Sequence, residues 1–204
     1  MADFSITKFR AAIGTGSRPN LFKVMVTPPR TTGYDLPGFE YLCRSGSLPS
    51  STLGTIEIPM NAGRRLKMGG DRTFSEWTST VLNDEGYKIR SAIEKWQNDI
   101  VKVNFDIGVI GNRSASIGAQ LTDGFYGSVM IYQLKEDGSS VPNGSYRLVN
   151  CWPTDISAID LSYDTTDAVE DFTITWTYDY FENGFEGETA IAALTATALT
   201  ATKG

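Results

Sequence analysis

A chain of 204 residues is long enough for one domain with a sizeable core, and its 41% hydrophobic and 21% charged content is ordinary for a folded protein. It contains no histidine, which removes the commonest general base and the commonest metal ligand, and its net charge of −6 argues against a dedicated nucleic-acid-binding domain. We therefore expect no catalytic site, no cofactor and no metal.

The sequence also limits where the protein is found. No apolar run approaches the roughly 20 residues that a membrane helix needs, and the N-terminus lacks the apolar stretch of a secretory signal. We therefore expect a protein made in the cytoplasm, with no membrane anchor. Its two cysteines, Cys43 and Cys151, are then expected to be reduced and buried rather than to bind a metal.

Charge is distributed unevenly along the chain. Residues 1–102 hold 14 lysines and arginines against 10 acidic residues, whereas residues 103–204 hold 4 against 14. If the two portions form opposite surfaces, copies of the chain attract one another front to back, which is the contact that builds rings and filaments. The alternative is that strands from both halves interleave and the asymmetry vanishes in space. The sequence favours neither alternative.

The first elements are short. Ile6, Phe9 and Ile13 lie at helical spacing, so residues 3–14 are predicted to form a helix that docks on the body or on a neighbouring copy. The elements that follow are, in order, a strand over residues 21–26, a Pro/Gly-rich loop over residues 28–38 and a second strand over residues 39–45.

A hairpin is predicted next, with strands over residues 55–60 and 64–68 joined by Asn61-Ala62-Gly63. A strand over residues 73–82 follows. The long helix of the chain is predicted over residues 84–99, with Asn83 as its N-cap. Its apolar stripe is expected to lie on a sheet and consists of Ile89, Ala92, Ile93, Trp96 and Ile100.

The C-terminal half is predicted to be mostly strand. Residues 104–124 are glycine-rich and show no period, so they stay unassigned. Strands over residues 126–134 and 145–152 form a long hairpin. In the strand over residues 172–178, apolar side chains alternate with threonine, so one face packs on a core and the other faces water or a lumen.

Together these elements predict one α+β domain: a mainly antiparallel β-sandwich or barrel-like protomer with one flanking α-helix. The domain is expected over residues 1–182, of which residues 1–17 form an N-terminal helical arm. Residues 183–204 are rich in alanine and threonine and are expected to form a mobile or loosely docked tail.

Several separated motifs occur in an order that matches one known family. These are RPNLF at 18–22, GGDRTFSEWT at 69–78, VLNDE at 81–85, NCWPTDI at 150–156, LSYD at 161–164 and FTITWTYDYFE at 172–182. The ordered set, which spans residues 18–182, resembles the tail tube protein of T-even-like contractile bacteriophages.

This resemblance implies a structural virion protein that assembles into hexameric rings stacked head to tail. In such a tube the strands of the protomers join into a continuous inner β-barrel, and phage DNA passes through the lumen without specific binding. The tail sheath, baseplate and tail terminator proteins are the implied partners. The fold is shared with the Hcp ring of type VI secretion and with pyocin-type tubes, so a subunit of a secretion or injection device is an alternative.

Two groups of charged residues are candidates for contacts between subunits. Arg64, Arg65 and Lys67 form the densest basic cluster, and either an acidic surface of the next ring or solvent faces them. Asp71 and Arg72 follow two glycines in a predicted loop. Given the resemblance, an ion pair across a protomer boundary is preferred for them over a local turn with a surface ion pair.

Two further patterns suggest other classes of function. Asp179 and Glu182 invite comparison with a glycosidase pair, but their place among aromatic residues favours a structural hydrogen-bonding role. The four tryptophans could form the sugar platform of a carbohydrate-binding β-sandwich, although residues spaced in this way more often fill a core. We therefore expect neither an enzyme nor a lectin.

Overall fold

The computed structural model describes residues 5–14, 16–29, 36–109, 126–164 and 169–184. Its helices are α1 (Ile6–Ile13), α2 (Phe39–Leu42) and α3 (Lys88–Val109), with a 3-10 turn at Asn61–Gly63. The strands are β1 (Phe22–Thr27), β2 (Cys43–Gly46), β3 (Ser51–Pro59), β4 (Arg65–Phe74), β5 (Trp77–Leu82), β6 (Gly127–Leu134), β7 (Ser140–Ile156), β8 (Asp171–Thr177) and β9 (Tyr180–Asn183). Every strand pairing is antiparallel, which confirms the predicted mainly antiparallel fold.

Seven of these strands form one bent sheet in the order β1-β6-β7-β8-β5-β2, with β9 added beside β7. The bend lies within β7, where Asn150 has a positive φ of 53°. β7 pairs with β9 before this residue and with β8 after it, whereas its pairing with β6 runs from Ser140 to Cys151. The Asn150 side-chain amide donates a 2.7 Å hydrogen bond to Asp179, which ties the bend to the turn before β9. β7 therefore belongs to both parts of the bent sheet.

The core lies between the body strands and α3. Trp176 of β8 is fully buried, its ring centroid lies 5.9 Å from that of Trp96 in α3, and its indole N–H donates to Ser79 Oγ at 3.0 Å. The apolar stripe of α3 packs on the sheet, as predicted. The other fully buried large side chains are Val24, Trp77, Val81, Ile89, Ile93, Val129, Leu148, Phe172 and Ile174.

Strands from the two halves of the sequence interleave in the body. β1 pairs with β6, and β5 pairs with β8. Of the two alternatives for the charge asymmetry, interleaving is therefore the one found for the described part of the sheet. A basic and an acidic surface cannot follow simply from the two halves of the chain.

The predicted strand over residues 73–82 was wrong, because two strands occupy this stretch. β4 ends at Phe74, which pairs with Ser51, whereas β5 begins at Trp77, which pairs with Trp176. The predicted strand over residues 39–45 also begins late. Residues 39–42 form α2, whose Phe39 ring packs edge-on against Trp176 with centroids 6.4 Å apart, and the strand starts at Cys43.

The long helix was predicted correctly in type but not in its bounds. It begins at Lys88 and continues to Val109, so part of the unassigned stretch over residues 104–124 is helical. Asn83 is not its cap, because the Asn83 amide donates to Glu170 at 3.0 Å. The Asp84 carboxylate instead accepts the Lys88 N–H at 3.0 Å. Most of the predicted C-terminal tail lies outside the described residues, so the domain boundaries stay predictions.

Gly127 of β6 lies close to both β1 and α3 and gives a test of the packing. A β-carbon added there would lie 2.5 Å from the Thr27 carbonyl oxygen and 2.7 Å from the Trp96 ring. We expect Gly127→Ala to lower the free energy of unfolding by about 1–3 kcal/mol, the usual cost of overpacking. Urea denaturation measures it. Gly69→Ala is the control, because its β-carbon would meet only Leu53 at 3.6 Å, and equal effects of the two substitutions would contradict the packing described.

Candidate assembly surface

The hairpin β3–β4, which we call the arm (residues 51–74), stands apart from the body. Its two strands form a separate two-stranded sheet in which each pairs with the other. Every residue of β3 is exposed, and so are all residues of β4 except Gly70 and Phe74, which are half-buried. The predicted hairpin is thus confirmed in its turn at residues 61–63 but is considerably longer than predicted.

The outer half of the arm has one apolar face. In this register Ile58 lies opposite Leu66, and Ile56 lies opposite Met68. Because side chains alternate along a strand, these two cross-strand pairs share one face. They are exposed by 42%, 48%, 54% and 50%, respectively. A contiguous apolar face that is only half covered within the chain is typical of a surface that binds another molecule.

The opposite face of the outer half is charged. Glu57 accepts from Arg65 Nη1 at 2.8 Å and lies 3.5 Å from Lys67 Nζ. Two of the three residues in the predicted basic cluster thus share one carboxylate within the chain, while Arg64 precedes β4 at the tip. Exposed pairs of this kind contribute about 0–1 kcal/mol, so they leave the cluster available to a partner. Sequence analysis missed Glu57, although a turn centred on residue 62 places residue 57 opposite residue 67.

The root of the arm is fastened by Arg72. Its guanidinium carbon lies 5.0 Å from the centroid of Phe74 and 4.9 Å from that of Phe181 in β9, and Nη2 donates to Ser51 Oγ at 3.0 Å. Asp71 and Arg72 were predicted to lie in a loop. They lie within β4 instead. The contacts of Arg72 therefore connect the arm to the body, and its predicted role at a protomer boundary stays a prediction.

Asp71 lies beside an irregularity in the arm. The pairing register shifts between Leu53 and Thr55, where Gly54 faces Gly70 and Asp71. A β-carbon added at Gly70 would lie 3.2 Å from the backbone of Gly54, so the two strands approach closely because both residues are glycine. Such a bulge increases the local twist of the hairpin and re-aims its outer half relative to its root.

The other candidate residues belong to the framework. Asp179 accepts the hydrogen bond of Asn150 in the turn between β8 and β9, rather than lying within a strand. Three of the four tryptophans are fully buried or nearly so, and Trp152 is half-buried with its ring 5.0 Å from that of Tyr126. The tryptophans therefore do not form a platform for a sugar.

Both cysteines are free and buried, as predicted. Burial raises the pKa of the Cys43 thiol to about 11, and it raises the pKa of Cys151 further. Within the part of the chain that the structure describes, no three potential metal ligands cluster, and no helix is long and apolar enough to cross a membrane.

Comparison with known proteins identifies what kind of chain carries this arm. A family model described as phage tail tube protein matches residues 17–183. The chain belongs to the phage tail tube protein family. It is 27% identical to the tail tube protein gp19 of Enterobacteria phage T4 over 173 residues, which cover 83% of this chain and 93% of the relative. The corresponding protein of Enterobacteria phage T6 matches with the same identity and coverage.

Solved structures share the fold. The tube terminating cap of the anti-feeding prophage superposes with a TM-score of 0.53 at 18% identity, covering 82% of this chain and 91% of the cap. The sheath/tube terminator of the extracellular contractile injection system PVC gives a TM-score of 0.53 at 15% identity, covering 89% of this chain and 98% of the terminator. The family match includes the whole arm and the body sheet, whereas α1 precedes it.

The root of the arm gives a test of the tail tube fold. We expect Arg72→Ala to lower the free energy of unfolding by about 1 kcal/mol, because it removes two stacking contacts and one hydrogen bond at an exposed site. Arg72→Lys keeps the charge but not the planar group, and it should recover only part of this loss. Urea denaturation of both variants, with Arg64→Ala at the tip as control, measures the effect. An Arg72→Ala variant as stable as Arg64→Ala would contradict the fastening role.

Proposed function

We propose that this chain is a non-enzymatic structural subunit that assembles as hexameric rings, stacked head to tail, into the inner tube of a contractile phage tail. The observation that carries the proposal is the arm: a hairpin within the family match whose apolar face is about half exposed. A further subunit covers this face in a ring. Because the chain belongs to the phage tail tube protein family, we infer that the assembled product is a tube.

The open sheet supports the same proposal. The described sheet path ends at β1 and β2, so it does not close on itself. Strands at such edges have backbone groups that are free to pair with another chain. We infer that pairing between neighbouring protomers completes a continuous inner β-barrel, which removes the edges and contributes to the assembly energy.

The lumen of this tube would pass phage DNA without binding it specifically. A net charge of −6 suits such a conduit, because a strongly basic lining would hold the phosphate backbone instead of letting it slide. The outer partners would be the tail sheath, with the baseplate and the tail terminator at the two ends. Assembly would take place in the host cytoplasm, and the finished tube would belong to the virion.

Charged residues of the arm would contribute contacts between subunits. Arg64, Arg65 and Lys67 lie at the outer end of an exposed hairpin, where they can reach an acidic surface of the next ring. Asp71 and Arg72 lie nearer the root, at the expected boundary between protomers. Because the body strands interleave, the arm rather than a whole half of the chain provides the basic surface.

One other assignment has an observation in its favour. The fold likeness to terminators of the anti-feeding prophage and of PVC also fits a tube subunit of an injection device. The curated relatives are phage proteins, which favours the phage tail. Genes for a capsid and a terminase beside this one would support the phage, and their absence beside genes for a toxin payload would support the device.

Electron microscopy tests the proposed assembly. Purified protein, alone or with a baseplate complex as initiator, should form rings or tubes of uniform bore. If an initiator is needed, the protein alone stays monomeric until the initiator is added. Protein that remains monomeric with every initiator tried would contradict the proposal.

Salt dependence tests the charged contact. We expect Arg64→Glu to shorten tubes at low ionic strength, because it places a carboxylate against the acidic surface of the next ring. The difference from the parent should vanish near 1 M salt, where the screening length falls to about 3 Å. Arg64→Gln, which removes the charge without reversing it, is the matched control and should have the smaller effect. Equal shortening by Arg64→Glu at low and high salt would rule out an electrostatic contact.

A further inference from the structure

The helix α1 carries an apolar stripe that is mostly exposed. The Ser5 side chain accepts the Lys8 N–H at 3.4 Å at its start, and Gly14, with a φ of 58°, ends it. The stripe consists of Ile6, Phe9 and Ile13, which are exposed by 72%, 65% and 52%. No residue of α1 is buried.

A helix of this length needs a packing partner. Isolated helices shorter than about 12–15 residues are marginal in water, and most helical stability in proteins comes from burying the apolar face. α1 has 8 residues, none of which is buried, and only Ile13 of its stripe lines a cleft with body residues such as Leu134 and Val141. The amphipathic pattern therefore points to a surface outside the body on which α1 lies.

The apolar face of the arm matches this stripe in size. From Ile6 to Ile13 the helix rises about 10 Å. The two cross-strand pairs of the arm are separated by about 7 Å along the strands and about 5 Å across them, and their side chains extend this area on each side. A helix stripe on one face of a sheet is a standard layer packing. Within the chain neither face covers the other, because both are exposed.

A second copy of the chain is the occupant that fits both faces. Two different apolar patches on one molecule that do not meet within it can form a heterologous contact, which closes into rings or continues into a filament. A tube requires contacts of this kind. α1 also precedes residues 17–183 of the family match, so this contact adds to the interfaces that the family sheet forms.

We propose that the stripe Ile6–Phe9–Ile13 of one copy packs on the apolar face of the arm of another copy, and this inference rests on the proposed tube function. Seven side chains cover less than the about 800 Å² per partner of a standard interface. The contact is therefore one component of the subunit interface, and it links the N-terminal helix of each subunit to the arm of its neighbour.

Disulfide cross-linking of the full-length protein tests the contact directly. Phe9→Cys combined with Met68→Cys, oxidised after assembly, should give a ladder of linked chains on a non-reducing gel. Ala11→Cys with Met68→Cys is the matched control, because Ala11 lies on the opposite side of α1 from Phe9, and it should give at most a trace. The native thiols contribute little background, since both are buried.

A second variant keeps the proposal testable if the cysteine pair impairs assembly. Because Phe9 is 65% exposed and lies outside the core, Phe9→Ser should leave the midpoint of urea unfolding unchanged. It should raise the protein concentration needed for assembly about tenfold or more, with Ala11→Ser as control. Assembly of Phe9→Ser at the parent concentration would overturn the contact.

The outcomes separate this inference from the proposed function. Tubes that form without an intermolecular disulfide between positions 9 and 68 would overturn the inference and leave the tube function standing. Tubes in which this disulfide forms only within one chain would have the same consequence. Failure of the parent chain to form rings or tubes with any initiator would overturn both.

Discussion

The apolar face of the arm is the constraint on which the proposed assembly depends. Ile56, Ile58, Leu66 and Met68 are each about half exposed on a hairpin that pairs with no other strand among the described residues. Removing apolar surface from water is favourable by about 25 cal/mol per Å², so this face is a source of binding energy that folding leaves unused. The body has a core of its own, so in the proposed tube folding and assembly would be driven by different surfaces.

The body fixes where that face points. Arg72 stacks on Phe181 of β9, and β9 is held beside β7 just before the bend at Asn150. The bend is tied in turn to Asp179 at the start of β9. These contacts thus connect the bend in the sheet at Asn150 to the root of the arm. The arm is presented in a direction set by the sheet rather than by its own turn.

Sequence patterns predicted those elements in which the spacing of the apolar residues reflects the burial of one face. Alternation in residues 172–178 and the helical stripe of α3 each bury one face, so their period is visible. The break after Phe74 coincides with a change of phase, because Phe74 and Trp77 are three residues apart and cannot share one face of a single strand. The pairing partner changes there from Ser51 to Trp176. Burial of Phe39 against Trp176 depends on tertiary packing and made residues 39–42 helical.

The sequence predicted the charged residues of the candidate surface but not its apolar side chains. Arg64, Arg65 and Lys67 were identified as a cluster. The predicted turn at residues 61–63 also implies the register that places Glu57 and the cross-strand apolar pairs, but it does not indicate that these side chains are exposed. A hairpin signal gives the turn, whereas exposure depends on whether any other element packs on the strands. The exposure of the strands is therefore a property of the whole fold.

Amide hydrogen exchange of residues 51–74, compared between the monomer and the assembled tube, tests the central claim most directly. The account predicts fast exchange in the monomer and strong protection of the arm in the tube, while the buried strands β5 and β8 exchange slowly in both. An arm that exchanges at the same rate in the monomer and in the tube would contradict it.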